Sequence, residues 1–194
     1  MLPELQTERL VVALARPGMH AAMVRFLERN FDSHLARWSP PPEAGFFTEG
    51  FWRERLALCV EDFHAGRSAR FVMRLRDDPG GDIVGTCNYT NIVRGAFHAC
   101  HLGYQLAKAH EGRGFMTEAL RAANAFMFDS IRLHRIMANY RPENERSGRV
   151  LDRLGFVREG LARDYLFIDG DWRDHILTSL TNPRFERGWI LGRD

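Results

Sequence analysis

Cysteine is scarce in this 194-residue chain: Cys59, Cys87 and Cys100 are odd in number and widely scattered. They lack the paired spacing of a thiolate metal site or a disulfide framework. An excess of one charge is also missing, since 27 Lys and Arg stand against 25 Asp and Glu, a net charge of +2. That balance excludes a dedicated nucleic-acid binder, whose phosphate contacts demand a pronounced basic surplus. Long apolar runs are absent, and the stretch from Leu10 to Ala15 is far too short to cross a bilayer. The start does not read as a signal peptide, because Glu4, Glu8 and Arg9 interrupt any apolar region. No repeat or low-complexity tract occurs. These absences point to a reduced, cytoplasmic enzyme or binding protein with no membrane partner and no direct nucleic-acid partner.

What is present suffices to build a core. Fourteen Phe and four Trp exclude a disordered chain, and the length suits one domain with a body from about 7 to 181 and a short C-terminal tail. A β-branched run predicts a first strand over 9–15, ended by Pro17-Gly18. Helices follow near 18–30 and 48–65, flanking the irregular segment Trp38-Ser39-Pro40-Pro41-Pro42-Glu43, where three prolines cannot continue a helix. Strands near 71–75, 83–92 and 97–106 form a meander. The remainder alternates: helix 113–131, strand 134–140, helix 144–154, and strands near 156–168 and 173–180. The economical solution is a mixed α/β (α+β) sheet of about seven strands with helices on both faces.

Two segments carry chemistry. Gly112-Arg113-Gly114 lies between the strand ending at Leu106 and the helix opening near Arg113. Strand, glycine turn, helix is the layout that offers unpaired backbone N–H groups and a helix dipole to an anion. A plain turn also uses glycine, so the spacing alone leaves both readings open. Gly103, inside the preceding strand, marks either a packing relief or a bulge that frees backbone groups for an extended amide ligand. The second segment, Asn144-Glu145-Arg146-Ser147, opens the next helix, with Asn144 a good N-cap whatever else it does. The strands before these two helices are consecutive. If they are parallel neighbours, both positive helix ends lie at one sheet edge and one elongated ligand touches both.

Gly112-x-Gly114 with Thr117-Glu118-Ala119-Leu120, then Asn144-x-x-Ser147, then Leu154-Gly155-Phe156, resembles the GCN-five-related N-acetyltransferase (GNAT) superfamily. The stretches 98–104, 134–140 and 168–175 are similar to its bacterial branch that acetylates N-terminal alanine of ribosomal proteins. The resemblance runs from Thr7 to about Thr181. It implies a mostly antiparallel sheet whose central parallel strands splay, and acetyl-CoA as a substrate leaving coenzyme A, with no metal. It implies further that the pantetheine arm pairs with the backbone of Leu102, Gly103 and Tyr104. The pyrophosphate would sit on His110, Glu111, Gly112, Arg113, Gly114 and Phe115, with Met116 and Thr117 close behind. Asn144 would hold a pantetheine amide, while Arg146 and Arg149 would reach the ribose phosphate or simply form a solvated face. Each charge-assisted bond contributes on the order of 1.5–3 kcal/mol, enough in sum for micromolar affinity.

The reaction implied is direct attack of an amine on the thioester within a ternary complex. It needs a free-base amine, an oxyanion donor and a proton for the departing thiolate. The backbone N–H near Tyr104 is the expected oxyanion donor. Many relatives place a Glu base where this chain has Asn139, whose amide cannot accept a proton, and a Tyr acid where it has Leu151. Ser147 remains as the thiolate proton donor, helped by the helix dipole. Asp164, Glu111, Asp174 and His175 remain as candidate bases, and Leu166 stands where the ribosomal-protein branch can carry one. An N-terminal amine, with a pKa near 8, is about a tenth free base at pH 7, whereas a lysine amine is less than about a thousandth free. A site without a base therefore suits the N-terminus of a protein. Trp38 and Asn139 are expected to touch that substrate, although a packed proline turn explains Trp38 equally. His98-x-x-His101 reads as structural, because strand positions three apart point to opposite faces. Two competing functions are an acetyltransferase for a small molecule or antibiotic, and a non-catalytic acyl-CoA-binding ribosome-assembly factor. Oligomeric state is left open.

Overall fold

Alternation along one short strand divides the core in two. In β2 (Leu10–Leu14), Leu10, Val12 and Leu14 enter one apolar cluster and Val11 and Ala13 the other. Period-two side chains make both faces of a strand available, and an all-apolar strand is one buried on both. The same division holds in β3 (Ala69–Leu75), where Phe71 and Met73 face one way and Val72 the other. These features are seen in a computed structural model that describes residues 1–191. The last three residues of the expected C-terminal tail lie outside the described residues.

Helices α1 (His20–Asn30) and α2 (Glu49–His64) cover the Val11 and Val72 face, bringing Met23, Phe26, Leu27, Leu56 and Cys59 onto it. Helix α3 (Phe115–Asp129) covers the opposite face with Met116, Ala119, Leu120, Ala123 and Met127. Helix α4 (Glu145–Arg153) adds Leu151 on that same side. Each fully buried Leu, Met or Phe among them contributes about 1.5–3 kcal/mol of burial energy. No helix among the described residues is long and apolar enough to cross a membrane.

The remaining strands are β1 (Glu4–Gln6), β4 (Gly85–Val93), β5 (Ala99–Leu106), β6 (Arg135–Tyr140), β7 (Val157–Ile168) and β8 (Asp171–Thr181). The sheet runs β1-β2-β3-β4-β5-β6-β8-β7, antiparallel throughout except for the central pair β5 and β6. The eighth strand, absent from the sequence reading, is β1, a three-residue edge pairing with β2 that is too short to show a period.

The parallel pairing begins at Ala99 opposite Arg135 and stops at Leu102 opposite Ala138, although β5 continues to Leu106 and β6 to Tyr140. The strands therefore part just before Gly103. No bulge occurs there: β5 stays in regular register with β4 through Asn88 opposite Gly103 and Cys87 opposite Tyr104. The irregularity falls instead between Thr90 and Val93, where Asn91 adopts a φ of 52°. The expected bulge at Gly103 is thus replaced by strand divergence, which frees one edge of β5 while β4 satisfies the other.

Candidate functional site

Beyond Leu102, β5 leads through a turn at Lys108–His110 into the loop that opens α3. Gly112 (φ 72°) and Gly114 (φ 79°) hold left-handed backbone that side chains rarely adopt. Gly114 is the N-cap of α3, and no side chain caps this helix. Its first-turn N–H groups therefore keep their donor capacity beside the loop, with the helix dipole behind them. A Cβ placed on Gly112 would meet nothing within 4 Å, so the loop is open above that residue.

Helix α4 begins at the C-terminal end of the neighbouring strand. The Asn144 side chain accepts the Ser147 N–H at 3.2 Å, and its NH2 group has no partner among the described residues. The helix ends with Phe156 N–H donating to the Leu151 carbonyl and Gly155 N–H to that of Asp152, both at 3.0 Å, with Gly155 left-handed. This double bond closes the last turn. Both helix N-termini border one cleft of about 1400 Å³.

The structure places Gly103, Tyr104, Glu111, Gly112, Gly114, Phe115, Met116 and Thr117 on the cleft wall. Asn144, Ser147 and Trp38 line it too. Leu102 does not, being the buried last rung of the parallel pair. His110 turns to a smaller neighbouring hollow, its ring tilted against Phe115 at 5.8 Å; burial and then Arg113 hold its pKa below the usual histidine value. The Arg113 guanidinium lies over the Phe115 ring at 4.8 Å, so it backs the loop. Asn139 pairs with Leu177 in the sheet, one position away from buried Ala138, and is not brought to the cleft.

Tyr104 does more than its backbone position suggests. Its side chain lies on the α3 and α4 side of the sheet, with the hydroxyl 2.6 Å from Ser147 Oγ, where either group can donate, and 3.2 Å from the Ser147 carbonyl, an alternative acceptor for the phenol proton. Burial pushes the phenol well above its ordinary pKa, against the Ser147 hydrogen bond, and so keeps it a proton donor. When the phenol donates to Oγ, the Ser147 hydroxyl proton is released for a group in the cleft.

The loop is braced from behind by residues that local pattern did not reveal. Arg9 Nη1 donates to the Arg113 carbonyl at 3.0 Å, and Arg9 Nε donates to Glu118 Oε2 at 2.7 Å. Glu118 also accepts from the Thr7 hydroxyl at 2.6 Å and the Arg9 N–H at 2.8 Å. Burial raises the Glu118 pKa, but the Thr7 and Arg9 hydrogen bonds overcome it and hold the carboxyl below its usual range. An acidic residue in the first turn of α3 was the one sequence signal available.

Carboxylates along the cleft are each engaged by an arginine. Glu111 pairs with Arg146, Glu43 with Arg55, Glu143 with Arg141, and Glu145 with Arg149. The two arginines expected at a ribose phosphate thus already hold carboxylate partners. Asp164, Asp174 and His175 are outside the cleft lining; the Asp174 carboxylate accepts the Asp164 N–H at 3.0 Å. His175 is buried against Tyr165, and burial lowers its pKa. Burial also raises the thiols, that of cleft-lining Cys59 and, to about 12, those of Cys87 and Cys100.

The proline segment is held in place. The Trp38 ring carries Arg37 at 4.4 Å and Arg141 at 5.3 Å, and Arg141 donates to the Arg37 carbonyl at 2.7 Å. Gln105 Nε2 donates to Ser39 Oγ at 2.9 Å, and Ser39 donates to the Leu35 carbonyl at 2.9 Å. His98 (φ 47°) precedes β5 and lies against the Arg132 carbonyl and the Phe185 ring, apart from His101 on the strand.

Diverging parallel strands, an uncapped glycine loop and a second helix N-terminus thus meet on one cleft, the layout of an acetyltransferase fold. Residues 9–157 match the model of the acetyltransferase (GNAT) domain, and the chain belongs to that family of acyltransferases. It is 45% identical to the [ribosomal protein uS5]-alanine N-acetyltransferase of Escherichia coli (strain K12) over 191 residues, covering 97% of this chain and 94% of that one. The crystal structure of ribosomal-protein-S5-alanine acetyltransferase from Vibrio fischeri superposes with a TM-score of 0.89 at 39% identity, covering 95% of this chain and 99% of that one. Mycobacterium smegmatis RimJ in complex with CoA-disulfide gives a TM-score of 0.76 at 31% identity, covering 99% and 94%.

Proposed function

We propose that this protein transfers the acetyl group of acetyl-CoA to the N-terminal amine of an alanine-starting ribosomal protein, in the cytoplasm and by direct attack. The observation that carries this reading is the parting of β5 and β6 at Leu102 and Ala138, between the N-termini of α3 and α4. The names of the relatives support the acceptor class, and the CoA-disulfide in the Mycobacterium smegmatis structure supports the donor.

Acetyl-CoA, when bound, supplies an acyl carbon activated for attack. The chain supplies the rest. Donors at Gly112, Gly114 and the first turn of α3 meet the pyrophosphate, where each charge-assisted bond is worth about 1.5–3 kcal/mol. The free edge of β5 at Gly103 and Tyr104 offers backbone bonds to the amide-bearing arm, as an added strand would. The Asn144 NH2 donates to a carbonyl of that arm. The Tyr104 N–H is the oxyanion donor. Ser147 gives its hydroxyl proton to the departing sulfur and is reprotonated from solvent, with Tyr104 orienting the hydroxyl. Holding amine and thioester together contributes roughly 7–11 kcal/mol of barrier, and raised thiol pKa values argue against a cysteine acyl intermediate.

Thiol release from acetyl-CoA with short peptides differing in the first residue tests this. Turnover concentrated on peptides starting with Ala is expected. Cofactor binding with no turnover on any peptide overturns the reading in favour of a non-catalytic binder, and turnover only on small-molecule amines overturns the acceptor class.

A further inference from the structure

One rung of the sheet on the α1 and α2 side carries two polar side chains into the cleft. Arg70 on β3 lies opposite Asn88 on β4, which lies opposite Gly103 on β5. All three line the cleft. Their side of the sheet follows from alternation, since Phe71, Tyr89, Leu102 and Tyr104 occupy the α3 side. The rung therefore faces away from Ser147 and toward the wall formed by α2 and Trp38. It ends at Gly103, where a Cβ would meet nothing within 4 Å, so the floor is open beside the strand divergence.

Arg70 is half-buried, and its guanidinium has neither an ion pair nor a hydrogen bond among the described residues. Of the other cleft arginines, Arg55, Arg146 and Arg149 each have a carboxylate, and Arg37 and Arg153 are exposed. A half-buried guanidinium with five free donors at the bottom of a cleft is arranged for oxygen acceptors. Asn88 adds an amide whose groups also lack partners among the described residues. The next rung carries no charge: Gln105 is committed to Ser39, Val72 is in the core and Thr86 is buried between them.

We infer that Arg70 and Asn88 form an acceptor subsite that binds an oxygen of the incoming peptide beyond its first residue. The inference rests on the proposed peptide acetylation. Two strand spacings separate Arg70 from Gly103, roughly 10 Å. An extended peptide advances about 3.3 Å per residue. With its amine at the strand divergence, the guanidinium meets residues two to four. The oxygen is either a side-chain carboxylate at those positions or a main-chain carbonyl. In both cases the bond orients the peptide and leaves the donor half of the site untouched.

Steady-state kinetics of the full chain, wild type and Arg70→Gln, with Ala-starting peptides carrying Glu, Gln or Lys at residues two to four, test the subsite. Arg70→Gln is expected to raise peptide KM about tenfold, with kcat and the acetyl-CoA Kd by calorimetry unchanged. If a carboxylate is the source, wild type favours Glu over Gln by a similar factor and the variant loses that preference. If a carbonyl is the source, wild type treats Glu and Gln alike and both lose equally in the variant. Lys at these positions is expected to raise wild-type KM if a carboxylate is the source, and Asn88→Ala, expected to raise peptide KM for either source, keeps the test decisive even where Arg70→Gln fails to fold. Unchanged peptide KM in a folded Arg70→Gln, or in Asn88→Ala where Arg70→Gln does not fold, overturns the subsite alone. Absence of wild-type turnover on every peptide overturns the acetylation reading and the subsite with it.

Discussion

In the proposed reaction Ser147 is a weak acid that its surroundings help to act. A serine hydroxyl alone is a poor proton donor, but here it sits in the first turn of α4, where the dipole favours a developing thiolate. Its oxygen meets a phenol kept protonated by burial. Ser147→Ala is therefore expected to lower kcat by about ten- to a hundredfold, at the low end of general-acid contributions, with acetyl-CoA affinity changed by no more than about twofold. Tyr104→Phe keeps the Ser147 hydroxyl but removes its orienting partner, and a smaller fall in kcat is expected. Rapid-quench turnover beside calorimetry separates the two terms, and an equal loss of rate and affinity in Ser147→Ala would leave that residue as scaffold. At this scale the sequence revealed only part of the site. Asn144 and Ser147 stand in a local motif that a linear reading finds. The Tyr104 phenol meets Ser147 across 43 positions and Arg9 meets Glu118 across 109, so neither contact leaves any local period to read.

The elements themselves were legible because their patterns are local. Both sides of β2 are apolar, α3 carries a continuous buried stripe, and Gly155 closes α4 where Leu154-Gly155-Phe156 predicts it. The divergence of β5 from β6 was not legible from composition, since it depends on two strands that each pair normally on their outer sides. The anchoring of α3 to the N-terminal segment was equally hidden and has a testable pH signature. Glu118 has a folded pKa below its ordinary value, so the stabilisation it contributes is present above the usual carboxylate range near 4.3. It is lost as pH falls through the lowered folded value, when the carboxylate bound by Thr7 and Arg9 becomes protonated. Glu118→Gln is expected to destabilise the protein by about 1–3 kcal/mol at pH 7, the range for a charge-assisted bond partly exposed on its arginine side. That difference is expected to shrink at pH 3. Urea unfolding of both proteins at the two pH values measures it, and a difference independent of pH would mean that the carboxylate charge is not what secures the helix.

At the scale of the whole molecule, a net charge of +2 conceals how the charges are distributed. Along the cleft, Glu43, Glu111, Glu143 and Glu145 are all held by arginines, and the Glu143 carboxyl is kept below its usual range by its own backbone N–H and then by Arg141. Glu143, so held, is a poor acceptor for a proton from an ammonium group. His175, the buried imidazole among the base candidates, is outside the cleft lining. With solvent as the acceptor of the amine proton in the proposed reaction, the rate inherits the ionisation of the substrate, whereas cleft-lining His34, its pKa lowered by burial, would impose its own. With a peptide amine of pKa near 8, kcat/KM is expected to rise about tenfold between pH 6 and pH 7 and to level above about pH 8. Lowering the amine pKa by about one unit, with an electron-withdrawing first residue, is expected to move the whole profile down by the same unit. A midpoint that stays fixed as the peptide amine is changed, especially one between pH 5 and 6, would instead require a titrating group of the protein in the site.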